Sequence, residues 1–341
     1  MIPKEKTLRI AAAIFLNILF GYSAKSQNPY FELTNLAELQ FIDGNYRESL
    51  KSYNKAFALG KNSFGKDLYN AALCSIRIGD LLLCNNFLDS LCARGYKLNK
   101  LNKKHFSKFH KSKYYKALSK KYQNFLINEV LIKNNEYLQG ILKDDQYFRL
   151  KNPGNYRNTE FVGIIGLIDS INAYKLLNFI ETKGFPSEFT CGIDETSSFY
   201  NFASHVILMH QAFGSKSRVI NFTETVLNAM EKGQVLPHIG TSEYVISSRR
   251  DSLFGRDYYF RVKQDDGTYI YAYLGDTKND KESWINTNRK RYNLEPLADY
   301  RKKILYWIKN DDLIFDFIMG EDVATFSKSM IKHFKNIKYI E

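Results

Sequence analysis

Cysteine is scarce in this chain: four stand among 341 residues, and no two are spaced as Cys-x-x-Cys. A zinc knuckle or a thioredoxin-type redox centre needs that pairing, so neither is expected. There is no Gly-x-Gly-x-x-Gly fingerprint, no phosphate loop closing on Gly-Lys-Ser/Thr, no His-Glu-x-x-His and no Gly-x-Ser-x-Gly. Dinucleotide binding, phosphate-loop chemistry, zincin proteolysis and the nucleophile-elbow hydrolases therefore lack their usual sequence support. His205 and His210 are five apart, about 140° round a helix, and cannot share one ion from a regular helix. No metal and no cofactor is expected.

Long hydrophobic runs are also missing. The longest, Ile10 to Tyr22, is interrupted by Asn17 and falls short of the roughly 20 apolar residues that span a bilayer. It follows Lys4, Lys6 and Arg9 and ends at the small residues Ala24 and Ser26. That order is a secretory leader, with cleavage before Gln27 and a periplasmic or extracellular mature protein. An uncleaved anchor helix is the alternative; no cysteine follows the run to carry a lipid. In an exported chain disulfides become an issue, yet Cys74, Cys84, Cys92 and Cys191 sit among apolar neighbours and read as buried thiols. Cys84 and Cys92 on one helix would be about 12 Å apart, beyond disulfide reach.

What is present describes a folded, mainly helical protein. Apolar residues make up 44% and charged residues 25%, near globular averages, which excludes a disordered chain and a multi-span membrane protein. The length suits two domains. The net charge of +13 is mostly local: Arg94 to Lys121 holds eleven Lys or Arg and no acid. A solvated helix face or linker explains such a run, and an anionic envelope surface is the alternative partner; nucleic acid is not expected. The aromatic content of 15% reads first as core.

Residues 44–60 place Gly44, Tyr46, Ser49, Tyr53 and Ala56 at the offsets of a turn glycine, packing aromatics and small contact residues. This resembles the second half of a tetratricopeptide repeat. A weaker copy runs from Leu68 to Tyr96, with Gly79 following Gly44 by 35 residues against a family period of about 34. Two units are fewer than a free-standing solenoid needs, so this pair should lean on the rest of the chain. The resemblance implies a groove for a peptide or protein partner.

From 124 onward the periodicity is again helical, with Val162 to Lys183 stopping at Gly184-Phe185-Pro186, then helices over Phe199–Phe213 and Val219–Lys232. Tyr258–Lys263 and Tyr269–Leu274 flank an Asp-Gly step and predict a β-hairpin. Helices follow near Ser283–Arg291 and Pro296–Lys309, and the apolar period through Phe326, Ile331 and Phe334 predicts a last one. The expected organisation is a leader at 1–26, helical repeats at 27–96, a basic linker or helix at 97–123, a mostly helical domain with the hairpin at 124–310, and a helical extension at 311–341.

Within 124–305, Asp145-Gln146 with Arg149, then Asp169 with Asn172 ahead of Gly184-Phe185-Pro186, then His210, Gly233, Phe254-Gly255, and Arg291 with Leu294-Glu295-Pro296-Leu297 and Tyr300 fall in an order similar to the family called domain of unknown function 6624. The chain departs from it around Arg249-Arg250-Asp251 and Phe254-Gly255-Arg256-Asp257. The resemblance implies a helical domain with a small hairpin and brings no activity. Physically, Asp145 and Arg149 share one helix face, as do Asp169 and Asn172, and both pairs can converge on His210. Such a set can bind a polar ligand, can serve as acid and base in a hydrolase, or can form a buried network joining helices. Catalytic residues are not assigned; the ligand-binding set is Asp145, Gln146, Arg149, Asp169, Asn172, His210 and Arg291. His238, after Pro237, is expected at the surface or as a cap.

Overall fold

The computed structural model describes residues 28–60, 63–123, 128–151, 158–193, 202–213, 219–241, 258–274, 279–316, 324–327 and 337–340. The proposed leader and the Arg249–Asp257 motifs lie outside them. The fold is mainly α with a small β-hairpin.

Two helical hairpins come first: α1 (Pro29–Ile42) with α2 (Tyr46–Leu59), and α3 (Gly65–Ile78) with α4 (Leu81–Cys92). Their ends are set by local chemistry. Pro29 opens α1 behind Asn28, whose side chain accepts the Tyr30 N–H, and Gly79 closes α3 at φ +85°, a conformation costly for any residue with a Cβ. The next helix starts at once, because the Asp80 side chain accepts the Leu83 N–H. Between the hairpins Tyr53, Ala56, Ala71, Ala72, Cys74, Leu88 and Leu91 are completely buried. Ser49 fits there because its hydroxyl donates to the Ala37 carbonyl at 2.7 Å.

The basic segment is helix, not linker. After a 3₁₀ turn at Leu98–Lys100 come α5 (Ser107–His110) and α6 (Lys113–Gln123), which packs on α4. Phe106 and Phe109 are fully buried anchors and the lysines face outward, so the segment hides its aromatics and exposes its charge.

Three helices form the second assembly: α7 (Glu129–Lys151), α8 (Thr159–Lys183) and α10 (Phe202–Phe213), in mutual contact. Between them α9 (Glu188–Cys191) packs on α7 under a Ser187–Thr190 capping box. Then follow α11 (Thr223–Glu231), a helical turn at 237–241, strands β1 (Tyr258–Lys263) and β2 (Tyr269–Leu274), α12 (Asn279–Arg291) and α13 (Leu297–Lys309). One hydrophobic cluster runs through residues from Tyr30 to Leu313, so the hairpins and the later helices share a core.

The helical extension expected at 311–341 is corrected. Its described residues include β3 (Ala324–Ser327), parallel to β1, and β4 (Ile337–Ile340), antiparallel to β2, in a sheet of order β3-β1-β2-β4. An isolated hairpin leaves two edges of unpaired N–H and C=O groups, and these short, Thr-, Phe- and Ile-bearing segments satisfy them. All four cysteines are buried free thiols.

Candidate functional site

The residues singled out in the second assembly meet where α7, α8 and α10 touch. Asp145 lies fully buried near the end of α7, and Arg149 one turn later swings back over it. Arg149 Nη2 is 2.6 Å from Asp169 Oδ1 on α8, and its Nη1 is 3.1 Å from Asp145 Oδ1 while also donating to the Asp145 carbonyl at 2.9 Å. His210, on α10, sets Nδ1 3.0 Å from Asp145 Oδ1 and 3.7 Å from Asp169 Oδ1. Gln146 completes Asp145 by donating Nε2 to Oδ2 at 2.6 Å. Three chain segments thus converge on two carboxylate oxygens.

Two opposed effects set the charge of Asp145. Burial pushes its carboxyl up; the His210 hydrogen bond, the His210 and Arg149 charges and the Gln146 amide outweigh that and hold it below the usual carboxylate range. Asp145 is therefore an anion that fixes the imidazole. Nδ1 faces the carboxylate, and Nε2 has no hydrogen-bond partner among the described residues. The His210 side chain keeps 20% of its surface exposed, whereas Asp145 keeps none and Asp169 5%. An imidazole oriented at one nitrogen and open at the other can accept or deliver a proton.

Gln211 carried no signal in the sequence. It locks α10 by donating Nε2 to the Asp169 carbonyl at 3.2 Å and accepting the Val219 and Ile220 N–H groups on Oε1. Asn172, on the Asp169 face of α8, is 1% exposed and its Nδ2 has no hydrogen-bond partner among the described residues. Arg291 is exposed at the end of α12 with its guanidinium 5.7 Å from the Tyr292 ring centre; the guanidinium turned inward there belongs to Arg289.

Arg289 belongs to a second polar cluster that joins the hairpins to the later helices. Lys66 Nζ lies 2.5 Å from Glu38 Oε1 and 2.8 Å from Asp67, and Lys303 Nζ lies 2.5 Å from Glu38 Oε2 and 3.7 Å from Glu295. His238 corrects the surface expectation: it is buried, stacks on Tyr300 and places Nε2 2.9 Å from Glu295 Oε2. Burial disfavours a charged Glu295, but His238, Lys303 and Arg289 outweigh it and keep its carboxyl well below the ordinary range. Glu295, inside the Leu-Glu-Pro-Leu stretch of the resemblance, and Tyr300 beyond it carried a signal in the sequence; Glu38, Lys66 and Lys303 carried none.

In comparison with known proteins, no family model matches the chain, and no curated protein or solved structure resembles it significantly.

Proposed function

We propose that this chain is an exported, two-part helical protein that binds a small polar ligand at His210, with the imidazole Nε2 as the contacting and proton-exchanging atom. The observation that carries this reading is the asymmetry of the ring: Nδ1 lies 3.0 Å from buried Asp145 while Nε2 is unpartnered among the described residues and the side chain reaches solvent. A network serving only to tie helices has no need of that open edge. Arg149, with 11% of its side chain exposed, adds a cation at the rim.

Hydrolysis is the second reading, favoured by the same Asp–His pairing. A neutral imidazole held by a carboxylate at one nitrogen is suited to take a proton from water at the other. Membership of the domain of unknown function 6624 family is part of the proposal, supported by the meeting of its spaced Asp145, Arg149, Asp169 and His210. The first hairpins are proposed as tetratricopeptide-like, and their natural partner is the rest of this chain: α3 is buried along its length from Gly65 to Ile76, which leaves the other helix faces for a peptide or protein. Export rests on the leader pattern; no described helix is long and apolar enough to cross a membrane. The outward lysines of α5 and α6 suit an anionic envelope surface, with attraction that falls as salt rises.

The test is His210→Ala in the mature protein, read by urea denaturation and by native mass spectrometry of small molecules carried from the exported fraction. Asp145 retains Arg149 and Gln146, so stability should fall by no more than about 1 kcal/mol while ligand is lost. Loss of about 3 kcal/mol with ligand retained would make the cluster a helix tie.

A further inference from the structure

The two buried carboxylates and the imidazole form a donor set with the spacing of a metal centre. Asp145 and Asp169 each offer an oxygen and His210 a ring nitrogen, all within 4.8 Å of one another. Donors about 2.1 Å from one ion stand about 3.0 Å apart at right angles and about 3.4 Å apart in a tetrahedron. The His210 Nδ1 distances of 3.0 Å to Asp145 Oδ1 and 3.7 Å to Asp169 Oδ1 bracket those edges. The three donors come from three helices, which fixes their arrangement as no single surface cluster would.

A second observation points the same way. Asn172 lies one turn beyond Asp169 on the same face of α8, is 1% exposed, and its amide nitrogen is without a hydrogen-bond partner among the described residues. A buried amide is normally satisfied. Its oxygen and nitrogen are interchangeable by rotation, so the side chain can offer a carbonyl oxygen as a fourth donor.

A cation already holds the pair of aspartates. The Arg149 guanidinium lies at 2.6 Å and 3.1 Å from the same two oxygens that the metal would use. Arg149 sits on the last turn of α7 and is more exposed than either aspartate, so it can withdraw toward solvent. We propose that Asp145, Asp169, Asn172 and His210 bind a divalent first-row transition-metal ion, and that Arg149 is its competitor for the carboxylates. The ion takes Nδ1 as a lone-pair donor, the ring proton resides on Nε2, and Arg149 leaves as the ion enters. Two carboxylates, an amide oxygen and one imidazole favour manganese(II) or zinc(II) over a thiol-seeking ion. This inference rests on the reading that the cluster is a site, and it goes beyond that reading by adding an inorganic ligand at Nδ1, with the Nε2–H left to donate to a polar ligand.

The experiment is titration calorimetry of the chelator-treated mature chain with manganese(II) and with zinc(II), comparing wild type with Arg149→Gln, Asp169→Asn and His210→Ala, each first checked for folding by circular dichroism. The expected result is one ion per wild-type chain, bound at least tenfold more tightly by Arg149→Gln and at least tenfold more weakly by the other two. Arg149→Gln is a gain of binding, which a misfolded variant cannot imitate. Absence of binding by both wild type and Arg149→Gln overturns the proposal, as does one-to-one binding that Asp169→Asn and His210→Ala leave unchanged. If no ion binds while His210→Ala still loses its small polar ligand at unchanged stability, the site survives without the metal; if neither an ion nor a small polar ligand binds the wild type, both readings fall.

Discussion

Glu188 offers a measurement of how the two halves are held together. It stands at the start of α9, 3% exposed, and both its oxygens accept the Gly65 N–H at the start of α3, at 2.7 Å and 2.9 Å. Arg94 Nη1 adds a hydrogen bond at 3.0 Å and also donates to the Ser63 carbonyl. Burial pushes the carboxyl up, Arg94 and the Gly65 N–H pull it down, and burial wins, leaving it at about 7 against an ordinary 4.5. Ionising Glu188 in the fold therefore costs about 3 kcal/mol more than ionising it in the unfolded chain, at about 1.4 kcal/mol per pH unit. The sign comes from proton counting. Between those two values the folded protein keeps a proton that the unfolded chain has released, so the contribution of Glu188 to stability is complete below about pH 4.5 and is lost as pH rises through about 7. Glu188→Gln cannot ionise. Urea unfolding of both proteins at steps between roughly pH 4.5 and 8.5 should give a variant-minus-wild-type difference that rises by about 3 kcal/mol across the range. Subtraction removes the groups the two proteins share. A difference flat to within about 0.5 kcal/mol would refute the reasoning, because it would mean that Arg94 and the α3 N-terminus keep Glu188 ionised throughout.

Burial pushes the thiols of Cys74 and Cys92 up to about 12 and that of Cys191 to about 11. Thiol titration should find no fast-reacting cysteine in the native protein and four after denaturation without reductant; a gain of two on reduction would reveal a disulfide. Glu295→Ala should destabilise by about 3 kcal/mol or more in chemical denaturation, since it strands the buried cations Lys303 and Arg289 and leaves the His238 Nε2 without its carboxylate partner, whereas Glu129→Ala, which breaks an exposed pair with Lys133, should cost under about 0.5 kcal/mol. Equal costs for the two would contradict the buried-pair account. Intact mass of the exported protein should correspond to a chain beginning at Gln27, and a full-length mass in the membrane fraction would exclude the cleavable leader.

Sequence periodicity reached those parts of the molecule whose cause is local. Gly79, Gly184 and the Asp-Gly step end or reverse elements through their own backbone, so α3, α8 and the hairpin are where the pattern places them. Asp145 with Arg149, and Asp169 with Asn172, were singled out by the family resemblance, and helical spacing puts each pair on one face. Failures lay where the partner is distant. Lys66 and Lys303 look like solvated charges until α1 delivers Glu38 between them, and His238 looks like a cap until Glu295 and Tyr300 close on it. Strands β3 and β4 have too few residues for a period to declare itself; they are strands because β1 and β2 offer them edges.

The contact of α1 with the end of the chain also sets a clock on folding. Asn28 donates its N–H to Asn293, and Asn35 donates to Asp299, partners 265 and 264 residues later. At a synthesis rate of about 5 to 20 residues per second, α1 waits roughly 10 to 50 seconds before those partners exist. During that interval Glu38 lacks Lys303, and the face of Phe41 that Tyr306 later covers is open to water or to other chains. The first hairpins are therefore made early and finished last, and contacts so distant in sequence make folding slow for so helical a protein.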